Sequence, residues 1–242
     1  MITKNKLYNK NGYLRLKKEI NSNLISKIKS ELINLKFDNI YTDKTGKIRR
    51  IENFYNKTEN LKKLNKILTD KILEIFGEKL VMFKDKCNFK PSGGAGFTAH
   101  YDGVFYFKDK KNKKRKGWFE YSSFFINVLV ALDKCNSKNG TLEIAKWHNK
   151  SFNELLINTK NNGSPELKKG FEKKLNFKRI DLSPGDLLFF SNKCPHRSKK
   201  NLSSSSRMLL YYTYAKAKKN VYDKYFYDKS TSKNKNSKSL TG

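Results

Sequence analysis

Two histidines and one aspartate in this 242-residue chain stand in a pattern that can bind a metal ion. His100 and Asp102 are two residues apart in a β-prone segment, and side chains at positions i and i+2 of a strand point to the same face. His196 follows the apolar run 187–190 and can bring a second imidazole to the same point. Two imidazoles and one carboxylate on one face of an octahedral ion form the facial triad that binds Fe(II) in non-haem oxygenases. A His-x-Asp pair also arises by chance, so a surface pair plus a loop histidine is the alternative.

The segments that must position these side chains change character near residue 80. Apolar residues recur at helical spacing over 18–36 and again over 61–76, where Thr58 is a candidate N-cap and Gly77 a stop. Short β-prone runs then follow, separated by Gly, Pro and Asn, at 80–89, 96–107, 118–132, 141–145, 177–182, 187–191 and 208–215. Strands without alternating helices favour an antiparallel sandwich or jelly roll, here with flanking N-terminal α-helices.

The sequence predicts one domain over residues 1–217, with a helical part at about 1–79 and a β core at about 80–217. The segment 108–116 carries seven basic residues and is predicted to be a solvated loop or hairpin tip. Residues 218–242 are rich in Lys, Ser and Asn, which is typical of a mobile tail.

The net charge of +31 raises the question of a nucleic-acid partner. Of the 53 basic residues only seven are Arg and 46 are Lys, and the chain also holds 27 Asn. Base readout and bidentate phosphate contacts prefer Arg. A lysine excess spread over every segment instead indicates a compositional background, so a nucleic-acid partner is not expected.

The chain carries no sequence signal for a membrane. It has no run of 18 apolar residues, and residues 1–10 lack an apolar core of the kind that secretory signals have. The three cysteines, at 87, 135 and 194, are widely spaced and fit reduced thiols. We therefore expect a cytoplasmic protein, and no feature of the sequence specifies an oligomeric state.

Three blocks in order resemble the phytanoyl-CoA dioxygenase-like family of Fe(II)/2-oxoglutarate oxygenases, and within it the hydroxylases of phosphonates such as 2-aminoethylphosphonate. The first is KCNFKPSGGAGFTAHYD at 86–102, and the second is LVALD at 129–133 with NGTLE at 139–143. The third is SPGDLLFFSNKCPHRSKKNLSSSSRMLLYYTY at 183–214. The resemblance covers roughly residues 80–215 and implies a double-stranded β-helix, the jelly-roll fold of cupins.

The resemblance also implies roles for individual residues. His100, Asp102 and His196 would hold the iron and thereby form the catalytic centre. His148, the third histidine of the chain, lies outside this triad and is interpreted as structural.

The resemblance also implies four further residues that would bind the cosubstrate or the substrate. Arg207, eleven residues after His196, would pair with the distal carboxylate of 2-oxoglutarate, and the Ser198 hydroxyl would join it. Lys86 and Asn88, on an early strand, would contact either the cosubstrate or the substrate. The alternatives are a surface ion pair for Arg207, a turn for Ser198 and a solvated face for the strand lysine.

Taken together, these features predict an Fe(II)- and 2-oxoglutarate-dependent dioxygenase that uses O₂ to hydroxylate a small molecule, such as the organophosphonate 2-aminoethylphosphonate. In this family, decarboxylation of 2-oxoglutarate to succinate accompanies the hydroxylation. Two alternatives stay open: the same chemistry on an amino acid, lipid or natural-product intermediate, or a nucleic-acid-binding oxygenase or non-catalytic basic binding module.

Overall fold

A computed structural model describes residues 3–109, 111–146, 149–160 and 164–231. His148 lies outside these ranges, as does the segment 232–242. Among the described residues, no helix is long and apolar enough to cross a membrane.

The described residues form six α-helices and thirteen β-strands. The helices are α1 (Lys4–Asn11), α2 (Ser22–Asn34), α3 (Glu59–Phe76), α4 (Phe152–Leu156), α5 (Lys169–Glu172) and α6 (Val221–Thr231). The strands of the first half are β1 (Tyr13–Leu16), β2 (Asn39–Thr42), β3 (Ile48–Glu52), β4 (Val81–Lys90), β5 (Phe97–His100), β6 (Phe107–Lys108) and β7 (Lys114–Arg115). Those of the second half are β8 (Phe125–Ala131), β9 (Leu142–Ile144), β10 (Lys178–Arg179), β11 (Leu187–Ser191), β12 (His196–Ser198) and β13 (Arg207–Ala215).

Two antiparallel sheets and one short hairpin organise these strands. The large sheet has the order β1-β11-β8-β13-β4-β3-β2, and the small sheet has the order β10-β9-β12-β5. Strands β6 and β7 pair with each other, which confirms the hairpin predicted around 108–116. The predicted mainly β fold, a jelly roll with flanking N-terminal helices, is confirmed.

The two N-terminal amphipathic helices pack on the outer face of the large sheet. Helix α3 begins where the Thr58 hydroxyl accepts a hydrogen bond from Leu61 N–H, and it ends at Gly77 with φ of 70°, as predicted. Glycine suits this cap because a side chain is strained at positive φ. The buried face consists of Leu61, Leu64, Leu68, Ile72 and Ile75.

The prediction gave residues 1–79 as a helical part, but this region is not purely helical. It also contributes β1, β2 and β3 to the large sheet, two of them at its edges. Strand β1 pairs with β11, about 170 residues further along the chain, through the register Tyr13 with Phe190. Local sequence pattern carries little information about such a distant partner, which explains the error.

The C-terminal segment also differs from its prediction. Residues 221–231 form helix α6 rather than a mobile tail, and this helix packs against β4. The Tyr222 side chain is buried, and its hydroxyl donates to Asp85 Oδ1 at 3.0 Å. These tertiary contacts stabilise a segment whose composition alone indicates disorder.

The inner face of the large sheet, which faces the small sheet, carries an unusual number of charged residues. Directly opposite residues of neighbouring strands share a face. The paired residues on this face are Arg50 with Asn88, Glu52 with Lys86, Lys86 with Tyr211, and Lys90 with Arg207. Lys84 is also on this face, two residues before Lys86 on β4.

Candidate metal centre

The predicted triad comes together between the two sheets. His100 ends β5 and His196 begins β12, and the two residues pair across these strands. Asp102 follows β5 after one intervening residue. The ligand atoms of His100, Asp102 and His196 all lie within 4.8 Å of one another, and the two imidazole ring centres are 4.3 Å apart.

Backbone carbonyl groups orient both imidazole rings. His100 Nδ1 lies 2.7 Å from the Thr98 carbonyl oxygen, and His196 Nδ1 lies 3.1 Å from that of Cys194. A proton on each Nδ1 completes these hydrogen bonds and leaves Nε2 as the free donor atom. Such outer contacts fix the tautomer and direction of metal-binding histidines.

Two residues of the large sheet hold the carboxylate of Asp102. The Asn127 amide on β8 donates to Asp102 Oδ2 at 2.9 Å, and the Thr213 hydroxyl on β13 donates to Asn127 Oδ1 at 2.7 Å. The same oxygen, Asp102 Oδ2, also lies 3.7 Å from His196 Nε2. Sequence reasoning missed Asn127 and Thr213, since neither stands in a recognisable spacing to the triad.

The electrostatics of the triad favour metal binding. Burial lowers the pKa of His196 to about 4, with a further contribution from His100, and burial also lowers the pKa of His100. Both rings are therefore neutral near pH 7. Burial by itself raises the pKa of Asp102, but His196, Lys86 and His100 outweigh this effect and lower the pKa overall. Neutral imidazoles and an ionised carboxylate are the protonation states in which these groups bind a metal.

A second cluster lies two residues further along β12 and combines two predicted residues with one that was missed. Ser198 Oγ accepts a hydrogen bond from Lys90 Nζ at 2.8 Å. Arg207 donates from Nη2 to the Gly140 carbonyl oxygen at 2.9 Å and from Nε to that of Asn139 at 3.2 Å. Lys90 Nζ lies 3.4 Å from the same Gly140 oxygen, so both basic groups meet at one carbonyl.

No carboxylate balances these two basic groups. Lys90 is 2% exposed and Arg207 3% exposed, and Arg207 Nη1 has no hydrogen-bond partner among the described residues. The residues outside the described ranges contain no Asp or Glu. The nearby Cys135 thiol does not supply a charge, because burial raises its pKa to about 12. A buried cation without an anion is costly, so the site is suited to an anionic ligand.

The remaining predicted residues lie between the two clusters. Lys86 Nζ lies 4.7 Å from the centre of the Tyr211 ring, and Asn88 contacts the Tyr211 side chain. Both residues are on the inner face of β4, but the residue of this strand that contacts Ser198 is Lys90. Alternate side chains of a strand share a face, so extending the series Lys86 and Asn88 by two residues would have predicted Lys90 at this site.

Fold and site together define a class of protein. A jelly roll of two antiparallel sheets carries two histidines and one aspartate between the sheets, and this ligand set fits a non-haem Fe(II) centre. The sequence model described as phytanoyl-CoA dioxygenase (PhyH) matches residues 8–209. The chain belongs to the phytanoyl-CoA dioxygenase family, which confirms the resemblance of its three sequence blocks.

Two curated relatives are phosphonate enzymes by name. The chain is 28% identical to a 2-aminoethylphosphonate dioxygenase of the uncultured bacterium HF130_AEPn_1, over 68% of this chain and 58% of the relative. It is 29% identical to a methylphosphonate hydroxylase of Gimesia maris, over 65% of this chain and 54% of the relative. The matches thus span less than two thirds of the length of either relative.

Solved structures show the same fold at lower identity. The epimerase SnoN in complex with Fe3+, alpha ketoglutarate and nogalamycin RO superposes with a TM-score of 0.64 at 14% identity, over 86% of this chain and 80% of that one. EctD from S. alaskensis with 2-oxoglutarate and 5-hydroxyectoine gives 0.64 at 16% identity, over 86% and 73%. These similarities support the assignment of the fold.

Proposed function

We propose that this chain is an Fe(II)- and 2-oxoglutarate-dependent dioxygenase that hydroxylates a small organophosphonate. The observation that carries the proposal is the pair of buried basic residues, Lys90 and Arg207, beside the triad. A metal centre alone fits many activities. A metal centre with an adjacent, unbalanced basic site fits a cosubstrate that chelates the metal at one end and carries a carboxylate at the other.

The spacing of the two clusters agrees with this cosubstrate. His196 and Ser198 are on the same face of β12, and two residues of strand correspond to about 6.6 Å. This separation suits a five-carbon dicarboxylate. Arg207 Nη1 is available for hydrogen bonds to the distal carboxylate, and the Ser198 hydroxyl can donate as well. Lys90 Nζ already donates to Ser198 Oγ at 2.8 Å and to the Lys199 carbonyl oxygen at 2.6 Å, so its contribution is positive charge beside the carboxylate.

In this proposal, His100, Asp102 and His196 hold the iron. When bound, Fe(II) with 2-oxoglutarate and O₂ supplies the oxidising chemistry, in which the cosubstrate becomes succinate and CO₂ and a substrate C–H becomes C–OH. The protein orients the ligands through Asn127 and the backbone, and it binds the cosubstrate carboxylate.

The substrate class has two supports. Both named relatives act on phosphonates according to their names. In addition, the inner face of β4 presents the amines of Lys84 and Lys86 toward Asp102, since both charges act on the pKa of that carboxylate. Positive charge beside the metal suits an anionic substrate.

The test is succinate release from 2-oxoglutarate in the presence of Fe(II), with a panel of 2-aminoethylphosphonate, methylphosphonate and the corresponding carboxylic acids. We expect stimulation by at least one of the phosphonates and none by the carboxylates. Replacing His196 with Ala is expected to abolish metal binding and turnover. Turnover with an amino acid, lipid or natural-product intermediate alone would refute the phosphonate assignment and leave the reaction class in place.

A further inference from the structure

A compact group of charged residues lies beyond the metal centre on the inner face of the large sheet. Arg50 and Glu52 come from β3, Lys84 and Lys86 from β4, and Lys229 from α6. Neither the triad nor the Lys90 and Arg207 site includes any of them, although Lys84 and Lys86 contribute to the field at Asp102.

Three of these residues satisfy one another. Lys229 Nζ forms an ion pair with Glu52 Oε2, and Arg50 Nε lies 3.1 Å from Glu52 Oε1. The Glu52 side chain is 1% exposed. Burial raises the pKa of Glu52, but Arg50 and Lys229 outweigh it and lower the pKa to about 2. Glu52 is therefore ionised and lies against two cations, although its contact with Arg50 is an ion pair without a hydrogen bond.

The two lysines on β4 are in a different position. Lys84 Nζ lies 5.0 Å from the Trp118 ring centre and 5.4 Å from that of Tyr225, and Lys86 Nζ lies 4.7 Å from that of Tyr211. Aromatic rings provide a favourable surface for a cation but no counter-charge. Within the described ranges, neither amine has a carboxylate at ion-pair distance, and the rest of the chain contains none.

Four basic side chains share one carboxylate in this group. Arg50 and Lys229 both pair with Glu52, and Asp102 belongs to the metal, so Lys84 and Lys86 have no carboxylate partner. Their side chains leave the same face of one strand two residues apart, about 6.6 Å at the backbone. One tetrahedral oxoacid group can contact both amines.

Aromatic rings also surround the Lys84 side chain. Trp118 packs against Phe83 and Phe125 in the core behind Lys84, and Tyr225 of α6 packs against Phe83 from the other side. Helix α6 thus forms one wall.

From this arrangement we infer that Lys84 and Lys86 bind the doubly charged head group of the substrate, and that the preferred substrate is an oxoacid without an amine. This inference rests on the proposed function, whose substrate class it narrows. A substrate ammonium would enter a group with excess positive charge. The carboxylates that act most strongly on these lysines, Glu52 and Asp102, already have their partners. Methylphosphonate fits this description, and 2-aminoethylphosphonate does not.

Calorimetry under anaerobic conditions tests the inference without turnover. Fe(II) and 2-oxoglutarate are added first, and their binding is measured as a separate step. Methylphosphonate, 2-aminoethylphosphonate and methanesulfonate are then titrated into the loaded protein. We expect methylphosphonate to bind at least about tenfold more tightly than the other two, because one adds an ammonium and the other carries a single charge.

The lysines are tested by replacement with Met, which retains the length and removes the charge. Lys84→Met and Lys86→Met are each expected to weaken methylphosphonate binding about tenfold, the loss of one charge-assisted hydrogen bond. Binding of 2-oxoglutarate is expected to stay within twofold. Lys224→Met is the matched control, since Lys224 also lies over an aromatic ring, 5.7 Å from that of Tyr121, but carries no role in the site.

The outcomes separate the two proposals. If wild-type protein binds Fe(II) and 2-oxoglutarate but binds 2-aminoethylphosphonate as tightly as methylphosphonate, the preference for an amine-free substrate is wrong. If both lysine variants keep full methylphosphonate affinity and a wild-type melting temperature, the head group binds elsewhere. If wild-type protein binds no 2-oxoglutarate, the proposed function itself is wrong and this inference with it.

Discussion

Replacing Arg207 with Met gives the sharpest test of the cosubstrate site. The guanidinium is buried, donates to two backbone carbonyls, and keeps Nη1 without a partner among the described residues. The resting protein therefore gains little from the positive charge. We expect Arg207→Met to leave the fold largely intact and to act on ligand binding.

The size of the effect follows from the contacts that the guanidinium can make. A hydrogen bond to a charged group contributes about 1.5–3 kcal/mol. Two such bonds to a carboxylate, at the lower value, give about 3 kcal/mol, which is a factor of about 150 in affinity. Lys90 and Ser198 remain in the variant, so binding is weakened by roughly two orders of magnitude rather than abolished.

The assay is the dissociation constant of 2-oxoglutarate, measured anaerobically with Fe(II), together with the melting temperature. Arg15→Met is the matched control, because Arg15 forms an ion pair at 2.6 Å with the buried Asp186 near the edge of the large sheet. That variant is expected to lower the melting temperature and leave 2-oxoglutarate binding unchanged. A dissociation constant of Arg207→Met within threefold of wild type would refute the assignment of this arginine.

Three further predictions concern buried groups whose pKa is shifted or that accept several hydrogen bonds. Burial and the nearby charge of Arg207 lower the pKa of Lys90 to about 7. We therefore expect the affinity for 2-oxoglutarate to fall as pH rises above 7, and binding to take up a proton. Calorimetry in buffers of different ionisation heat measures this proton uptake, and a pH-independent affinity would contradict the prediction. Asp85 accepts hydrogen bonds from the backbone N–H groups of residues 53, 54 and 55. Asp85→Ala leaves these donors unpaired, and we expect it to reduce the free energy of unfolding, measured by urea titration, by about 3 kcal/mol or more. The control Asp70→Ala, at an exposed position, should change this free energy little. The pKa of Glu52 is about 2 in the folded protein against 4.5 ordinarily. The stability that its ionised form contributes is therefore complete above pH 4.5 and is lost as pH falls toward 2. Glu52→Gln should make the melting temperature depend less on pH between 4.5 and 2, and an unchanged pH dependence would rule out this contribution.

The metal triad could be predicted from sequence because its geometry is local. The spacing of His100 and Asp102 follows the period of a strand, although β5 itself ends at His100. The apolar run before His196 marks β11, and the chain turns directly from β11 into β12, where His196 lies. Helix α3 was predictable for the same reason, since its cap, its stop and its buried face are all read from neighbouring residues.

The parts that could not be predicted depend on distant contacts. Lys90 stands one residue beyond the predicted end of its strand, and its significance appears only when Ser198, from the far end of the chain, lies beside it. Helix α6 has a composition typical of disorder. It is stabilised by contacts of Tyr222 and Lys229 with Glu52 at the end of β3, with Asn53 directly after it, and with Asp85 on β4. Neither case leaves a signal within a short window of sequence.

Helix α6 is the last described element of the chain, so it affects the order in which parts of the structure form during synthesis. The triad, the Lys90 and Arg207 site and both sheets are complete once β13 has been translated, and domains fold as their chain emerges from the ribosome. The wall formed by Tyr225, and the Lys229 amine that neutralises Glu52, arrive only afterwards. A nascent chain that stops short of α6 would hold the three triad residues without the Tyr225 ring beside Lys84 and without the Lys229 partner of Glu52. Translation of the last described helix thus separates formation of the triad from completion of the charged group beside it.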